Sequence, residues 1–311
     1  MYRNRIPSRG AEPRSPGQPQ QGTLCWTAWL FPVLQRETAL TPATERPAIT
    51  PETLRRLAFD QSIRWTSQND DLWQLIDNDL WQLTRNPSLI LSTVPEQRLE
   101  ALLQRAECHR LVEGIVEAQQ ARLERPTWFA SQHYGETLAR VAYFSMEYML
   151  SEALPIYSGG LGNVAGDQLK AAGDLGVPVT AVGMLWQHGY FRQSIGPDGH
   201  QQALYPVNDT RQMPIEPLLD ADGAPLRLAV QLPGLQIWLR GWQATVGLNR
   251  LLLLDTNDPA NPPIARLIAS ELYGGDNEMR LRQELVLGIG GWRLLEAAGL
   301  RRVGREQPEH T

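Results

Sequence analysis

The residues of this chain best suited to chemistry lie in one run, Tyr157-Ser158-Gly159-Gly160-Leu161-Gly162-Asn163-Val164-Ala165-Gly166-Asp167-Gln168-Leu169-Lys170. Gly159, Gly160 and Gly162 let the backbone turn tightly and approach a ligand closely. Leu161, Ala165, Leu169, Ala172 and Leu175 recur at helical spacing, which predicts a helix from Leu161 onward. A helix opening from a glycine loop leaves several N–H groups unpaired, with the positive end of its dipole behind them. That arrangement suits an anion, most often phosphate. The same residues also make a plain strand-to-helix turn, and local chemistry leaves both readings open.

Other chemistry is excluded by what the chain lacks. Lys170 is its only lysine, so a lysine imine would have to form there. The five histidines show no HExxH or other metal spacing. Cys25 and Cys108 lie far apart, which speaks against a disulfide framework or a zinc site and for a reducing, cytoplasmic setting. A net charge of −5 with no basic stripe gives no footprint for nucleic acid. The longest apolar run, Thr23 to Leu34, is broken by Pro32 and is short of the ~20 residues a membrane-spanning helix needs. It also starts late for a targeting peptide, and no cleavage site follows it.

The elements that must position the loop follow from patterning. Residues 1–49 are rich in Pro, Gln, Arg and Thr without periodicity and read as disordered, with the Trp26–Leu34 patch docking on the body. Thr50-Pro51 suits a helix start. From there to about Arg125 the pattern is all-helical, and residues 50–135 are read as a helical extension. Within it Asp71-Leu72-Trp73-Gln74-Leu75 recurs as Asp79-Leu80-Trp81-Gln82-Leu83, placing both tryptophans on nearly one helix face. That face is read as core and not as an aromatic sugar platform.

Arg140–Ser145 and Pro178–Met184 read as buried strands either side of the glycine loop and its helix. This is a βαβ-like unit with a parallel sheet, in the α/β class. Further strands are predicted around Leu226–Leu232, Gln236–Thr245 and Arg250–Leu254. Ile264–Leu272 is predicted helical. A last helix over Glu278–Ala298 is expected to turn Leu281, Leu285, Ile289, Trp292 and Leu295 inward, with Gly299 as its C-cap. Gly288, Gly290 and Gly291 weaken that helix and imply close packing against the sheet or a ligand. Residues 136–300 thus form one lobe, and 301–311 read as an irregular tail.

Three families carry a glycine loop of this kind. Gly160-Leu161-Gly162-Asn163-Val164-Ala165 satisfies the dinucleotide pattern GxGxxA. However, more than ten residues separate it from Ser145, and Val182-Gly183-Met184 stands where the acid should be. Nucleotide-sugar transferases of the starch synthase type have a GGLG loop preceded by lysine, where this chain has Ser158. The third resemblance runs over long blocks. Val141 to Tyr148, Glu152 to Gly162, Ala165 to Ala172, Asp174 to Pro178, Gly189 to Gln193, Leu272 to Asn277 and Arg280 to Glu284 closely resemble the α-glucan phosphorylases. Together with the Trp-rich helical extension they resemble the bacterial short-type branch, over about Leu57 to Leu300.

That resemblance implies the first, Rossmann-like lobe of a GT-B glycosyltransferase fold, incomplete and preceded by the helical extension. It implies phosphorolysis of α-1,4-glucan by inorganic phosphate to glucose 1-phosphate, with pyridoxal phosphate acting through its own phosphate. Gly159, Gly160 and Gly162 would face phosphates, and Leu161 would line the glucosyl pocket. Glu147 would stand beside the substrate, and Asp276 and Asn277 would close over the sugar. The plain alternatives are a structural ion-pair role for Glu147 and a helix cap at Asp276-Asn277. Met149 replaces a tyrosine that many members carry near the cofactor. The family's cofactor lysine belongs to a second lobe and Lys170 does not match it. The expectation is therefore a fragment without covalent pyridoxal phosphate, inactive alone. Its partners would be α-glucan and phosphate, with neither nucleic acid nor membrane, and a homodimer in the complete protein. A non-catalytic glucan- or phosphate-binding lobe is the alternative.

Overall fold

A computed structural model of the chain describes residues 29–31, 48–65, 69–132 and 140–300. The irregular tail expected at 301–311 and most of the disordered segment expected at 1–49 lie outside these residues. Within the latter, Trp29–Phe31 form a short strand, β1.

The helical part consists of α1 (Pro51–Phe59), α2 (Asp70–Thr84), α3 (Pro87–Thr93), α4 (Glu96–Leu103) and α5 (Ala106–Glu124), then a single turn, α6 (Trp128–Ser131). Its boundaries have local causes. Pro51 occupies the first position of α1, and the Thr50 amide donates to Thr53 Oγ1 at 3.1 Å. Asn86 Oδ1 caps α3 by accepting from the Leu89 amide at 3.1 Å, with Pro87 next to it. α2 is kinked at Asp77, whose φ of −156° leaves the helical region and whose Oδ1 accepts from the Leu80 amide at 3.0 Å. The carboxylate in effect caps the second half of the helix. Trp73 and Trp81, the pair in the repeated motif, are 1% and 2% exposed and belong to a core with Leu54, Ile90, Leu99 and Val112. Both tryptophans are core residues, as read.

The second part is built on a mixed sheet. β2 (Arg140–Phe144) leads to α7 (Gly160–Leu175) and β3 (Val179–Met184), and β2 and β3 are parallel from Val141↔Val179 to Phe144↔Val182. An antiparallel hairpin of β4 (Arg192–Ile195) and β5 (Gln201–Leu204) stands apart from the sheet. The two-residue β6 (Glu216–Pro217), β7 (Arg227–Leu232), β8 (Leu235–Val246) and β9 (Asn249–Asp255) complete the order β1-β2-β3-β9-β8-β6, with β7 also paired to β8. β2, β3 and β9 are parallel, whereas β1 and β8 run antiparallel to their neighbours. Leu251 to Leu254 are fully buried, which suits a central strand covered on both faces. The two parts meet at buried Asp60. Its Oδ1 accepts from the Ser62 amide (2.9 Å) and the Gly247 amide (3.4 Å), and its Oδ2 accepts from Gln119 Nε2 (2.6 Å).

Two expectations are corrected here. Ile264–Leu272 is not one helix but a short α8 (Pro263–Arg266) and a 3-10 turn at Leu267–Ala269. The last helix is three pieces: α9 (Asn277–Leu285), a π-helical turn at Val286–Gly290, and α10 (Gly291–Ala297). Leu281 and Ile289 are 58% and 44% exposed, while Gln283, Val286, Leu287, Leu294 and Leu295 are buried. Leu295 is buried as expected, but the buried positions Gln283, Leu287, Gly290 and Leu294 keep regular helical spacing, so an apolar count misses the face because a glutamine and glycines hold part of it. The glycines decide which face is right. A Cβ on Gly290 would lie 2.7 Å from Leu239 Cδ1, and one on Gly291 would lie 2.7 Å from Phe144 Cε1 and Val182 Cγ1. Their packing is against the sheet.

Candidate functional site

The site forms beyond the C-terminal end of β2, where α/β sheets commonly bind ligands. The chain leaves β2 at Ser145, whose amide still bonds to Val182 O at 3.1 Å. It then folds back against the start of α7. The Met149 amide donates to Gly162 O at 2.9 Å. Gly162 and Gly166 permit this approach. A Cβ on Gly166 would lie 2.1 Å from Met149 O, and one on Gly162 would lie 2.7 Å from Tyr157 Cβ and 3.0 Å from Glu147 Oε2.

Glu147 is held at the centre and is only 2% exposed. Its Oε2 accepts from the amides of Ser158 (2.7 Å) and Gly159 (3.1 Å). Its Oε1 accepts from the Tyr273 hydroxyl at 2.7 Å. Three donors on one carboxylate offset much of the cost of burying its charge. The preference of a glycine-opened helix for an anion is thus met, at its first two loop amides, by the protein's own side chain.

Tyr273 is reached through a backbone φ of +60°, rare for a residue with a bulky side chain. The Arg280 guanidinium lies 4.7 Å from its ring centroid, and Arg280 Nη2 donates to Glu284 Oε1 at 2.7 Å. Burial, together with the hydrogen bond and charge of Glu147, pushes the Tyr273 phenol well above the usual tyrosine range. Neither Tyr273 nor Arg280 was singled out from sequence. The available signal was their place in the Leu272–Asn277 and Arg280–Glu284 blocks.

The expected site residues fall out as follows. Gly159 and Gly160 are exposed, and a Cβ on either meets nothing within 4 Å. Leu161, in the first turn of α7, is 40% exposed. Gly162 is buried, with its amide donated to Gly159 O at 3.1 Å. Asp276 is the N-cap of α9, its Oδ1 accepting from the Met279 amide at 2.9 Å, and Asn277 begins that helix, exposed. The hydrogen bonds of Glu147 therefore join the glycine loop to the segment that carries Asp276 and Asn277.

The residues present do not fit covalent pyridoxal phosphate. Lys170 stands ten residues after Gly160 on the same helix, about 15 Å along its axis, with its Nζ 3.7 Å from Asp167 Oδ1. Among the described residues no group of three or more His, Cys, Asp or Glu could hold a metal ion. Nor is any helix among them long and apolar enough to cross a membrane.

The chain is homologous to the glycogen and maltodextrin phosphorylases. It is 39% identical over 250 residues to the maltodextrin phosphorylase of Thermococcus litoralis, covering 80% of this chain and 30% of that protein. It is 39% identical over 255 residues to the glycogen phosphorylase of Mycobacterium tuberculosis, with 78% and 30% covered. The Aquifex aeolicus glycogen phosphorylase is 42% identical over 160 residues, 51% of this chain and 23% of that one. The chain spans about 30% of the length of the first two relatives. A family described as a protein of unknown function (DUF3417) matches residues 50–154, which run from the first helix past Glu147.

Proposed function

We propose that residues 136–300 are the first, Rossmann-like lobe of a GT-B transferase of the α-glucan phosphorylase type, with residues 50–135 as its helical extension. The observation that carries this reading is Glu147. It ties the Ser158-Gly159 loop to Tyr273, and so joins two of the sequence blocks that resemble the phosphorylases. In this reading the chain supplies one wall of a cleft that takes α-glucan and inorganic phosphate and yields glucose 1-phosphate. Gly160 and the start of α7 present amide dipoles to phosphate oxygens, and Leu161 lines the glucosyl pocket. Asp276 and Asn277 offer polar groups to sugar hydroxyls. Glu147 holds the glycine turn in shape while lying beside the substrate. Pyridoxal phosphate, where bound, supplies a phosphate for proton transfer, and its lysine and the basic phosphate ligands come from a second lobe.

Titration calorimetry of this chain with glucose 1-phosphate tests the reading. Gly160→Ala fits the fold, since its Cβ meets no atom within 4 Å, but it projects into the open space before the loop. Saturable binding by the parent chain, weakened about tenfold or more in Gly160→Ala at unchanged thermal stability, is expected; tenfold corresponds to about 1.4 kcal/mol. No binding, or equal binding by both proteins, sinks it. The position of Lys170, far along α7 and beside Asp167, favours one second reading: a lobe that binds without turnover. Binding of glucose 1-phosphate with no phosphate released from it in the presence of maltoheptaose would support that version.

A further inference from the structure

A second surface begins at the residue before the glycine loop. Tyr157 stacks on Tyr190, with centroids 6.4 Å apart and planes 18° from parallel. Tyr190 continues to Phe191 at 4.9 Å, and Phe191 to Tyr205 at 5.9 Å. The four rings form a continuous file running from the loop to the base of the β4–β5 hairpin, where Phe191 precedes β4 and Tyr205 follows β5. They are not core residues. Tyr190 is 43% and Tyr205 60% exposed, and all four residues of β5 are exposed.

The backbone holds this file in place before any ligand arrives. A Cβ on Gly189 would lie 1.6 Å from Pro155 O, so only glycine allows the chain to press against Pro155 there and bring Tyr190 beside Tyr157. On the other side Asn208 Nδ2 donates to Pro155 O (3.2 Å) and Trp186 O (2.8 Å), which anchors the segment that follows Tyr205. Exposed aromatic surface fixed in this way marks a binding site more readily than a packing accident. Arg192, exposed and directly after Phe191, stands ready to donate hydrogen bonds at the edge of the file.

We infer that the file Tyr157–Tyr190–Phe191–Tyr205 is a binding platform for an α-glucan chain, extending from the glycine loop to the base of the hairpin. A sugar ring has an apolar C–H face that rests on an aromatic ring and a rim of hydroxyls that needs polar partners, and a single file of rings with polar edges offers both. Taking α-glucan as the occupant rests on the function proposed above; the existence of the platform does not.

The test is calorimetry of the chain with maltoheptaose and, separately, with glucose 1-phosphate. Tyr190→Ala and Tyr205→Ala should each weaken maltoheptaose binding about two- to tenfold, the range expected for losing one ring contact. Tyr205→Phe, which keeps the ring, should bind like the parent. Neither alanine variant should change glucose 1-phosphate binding. Maltoheptaose binding that is absent from the parent chain, or unchanged in both alanine variants, overturns the platform. A dimer in sedimentation velocity that dissolves on Tyr205→Ala also overturns it, and would make the surface a self-association face. Loss of glucose 1-phosphate binding alone, with maltoheptaose still sensitive to Tyr190 and Tyr205, counts against the loop reading and leaves the platform standing.

Discussion

The hydroxyl of Tyr273 donates a 2.7 Å hydrogen bond to Oε1 of Glu147, 126 residues earlier in the chain. The other oxygen of the same carboxylate accepts the two amides that open the glycine loop. One buried side chain therefore fixes two segments that the sequence keeps far apart, and it does so with an anion where an anion is preferred.

Removing either partner should loosen both segments. Tyr273→Phe leaves the carboxylate with two donors in place of three and should cost about 1 kcal/mol, since the ring is partly exposed. Glu147→Gln turns an acceptor into a group that must present N–H to donors or to the phenol, and should cost about 1–3 kcal/mol. Hydrogen exchange should quicken in both 157–160 and 272–277 in either variant. Quickening confined to the segment that carries the substitution would show that Glu147 does not couple them.

Glycines of two kinds should separate cleanly. Gly166→Ala drives a Cβ into the Met149 carbonyl, and Gly291→Ala drives one into Phe144 and Val182. Each should lower stability by about 1–3 kcal/mol through overpacking. Gly288, in the π turn, has open space around its Cβ position. Gly288→Ala should raise stability by about 0.5–1 kcal/mol. Urea midpoints at constant slope measure all three. Equal destabilisation by the three variants would contradict the close approach of helix to sheet.

Asp258 should give a measurable acid dependence. Burial pushes its carboxyl up, but Arg227 donates from Nε and Nη2, each at 2.7 Å, and the Ala260 amide donates at 2.9 Å. With the charges of Arg227 and Arg240 these outweigh burial, and the carboxyl titrates below the usual range. A depressed carboxyl contributes stability that is fully present above the unfolded value of about 3.9 and is lost as pH falls through the folded value. Asp258→Asn should therefore be less stable than the parent at about pH 7, and the gap should narrow by about pH 3. Denaturant midpoints at the two pH values read this out; a gap that stays constant would rule out a charge-based contribution.

Much of this protein was legible from local pattern. The strands β2 and β3, the helix between them and the all-helical stretch after Thr50 follow from apolar period and caps, because those signals act over a few residues. The tryptophan pair was legible as core for the same reason. Where a glutamine and glycines hold part of the buried face, apolar pattern fails: Gln283, Gly290 and Gly291 are buried while Leu281 and Ile289 are exposed. Asp276 shows both sides of this limit, since its capping bond to Met279 was readable as an alternative while its link to the glycine loop was not.

By itself the sequence determined the βαβ unit, the glycine turn at its centre and the lack of any lysine beside that turn, because composition and short-range spacing carry those facts. Tertiary structure alone decided what the glycines do. Gly162 and Gly166 admit the Glu147–Met149 segment, Gly290 and Gly291 admit the sheet, and Gly159 and Gly160 remain open. A glycine has no side chain whose period could announce its neighbour; what comes within reach of its missing Cβ is set by segments distant in the chain.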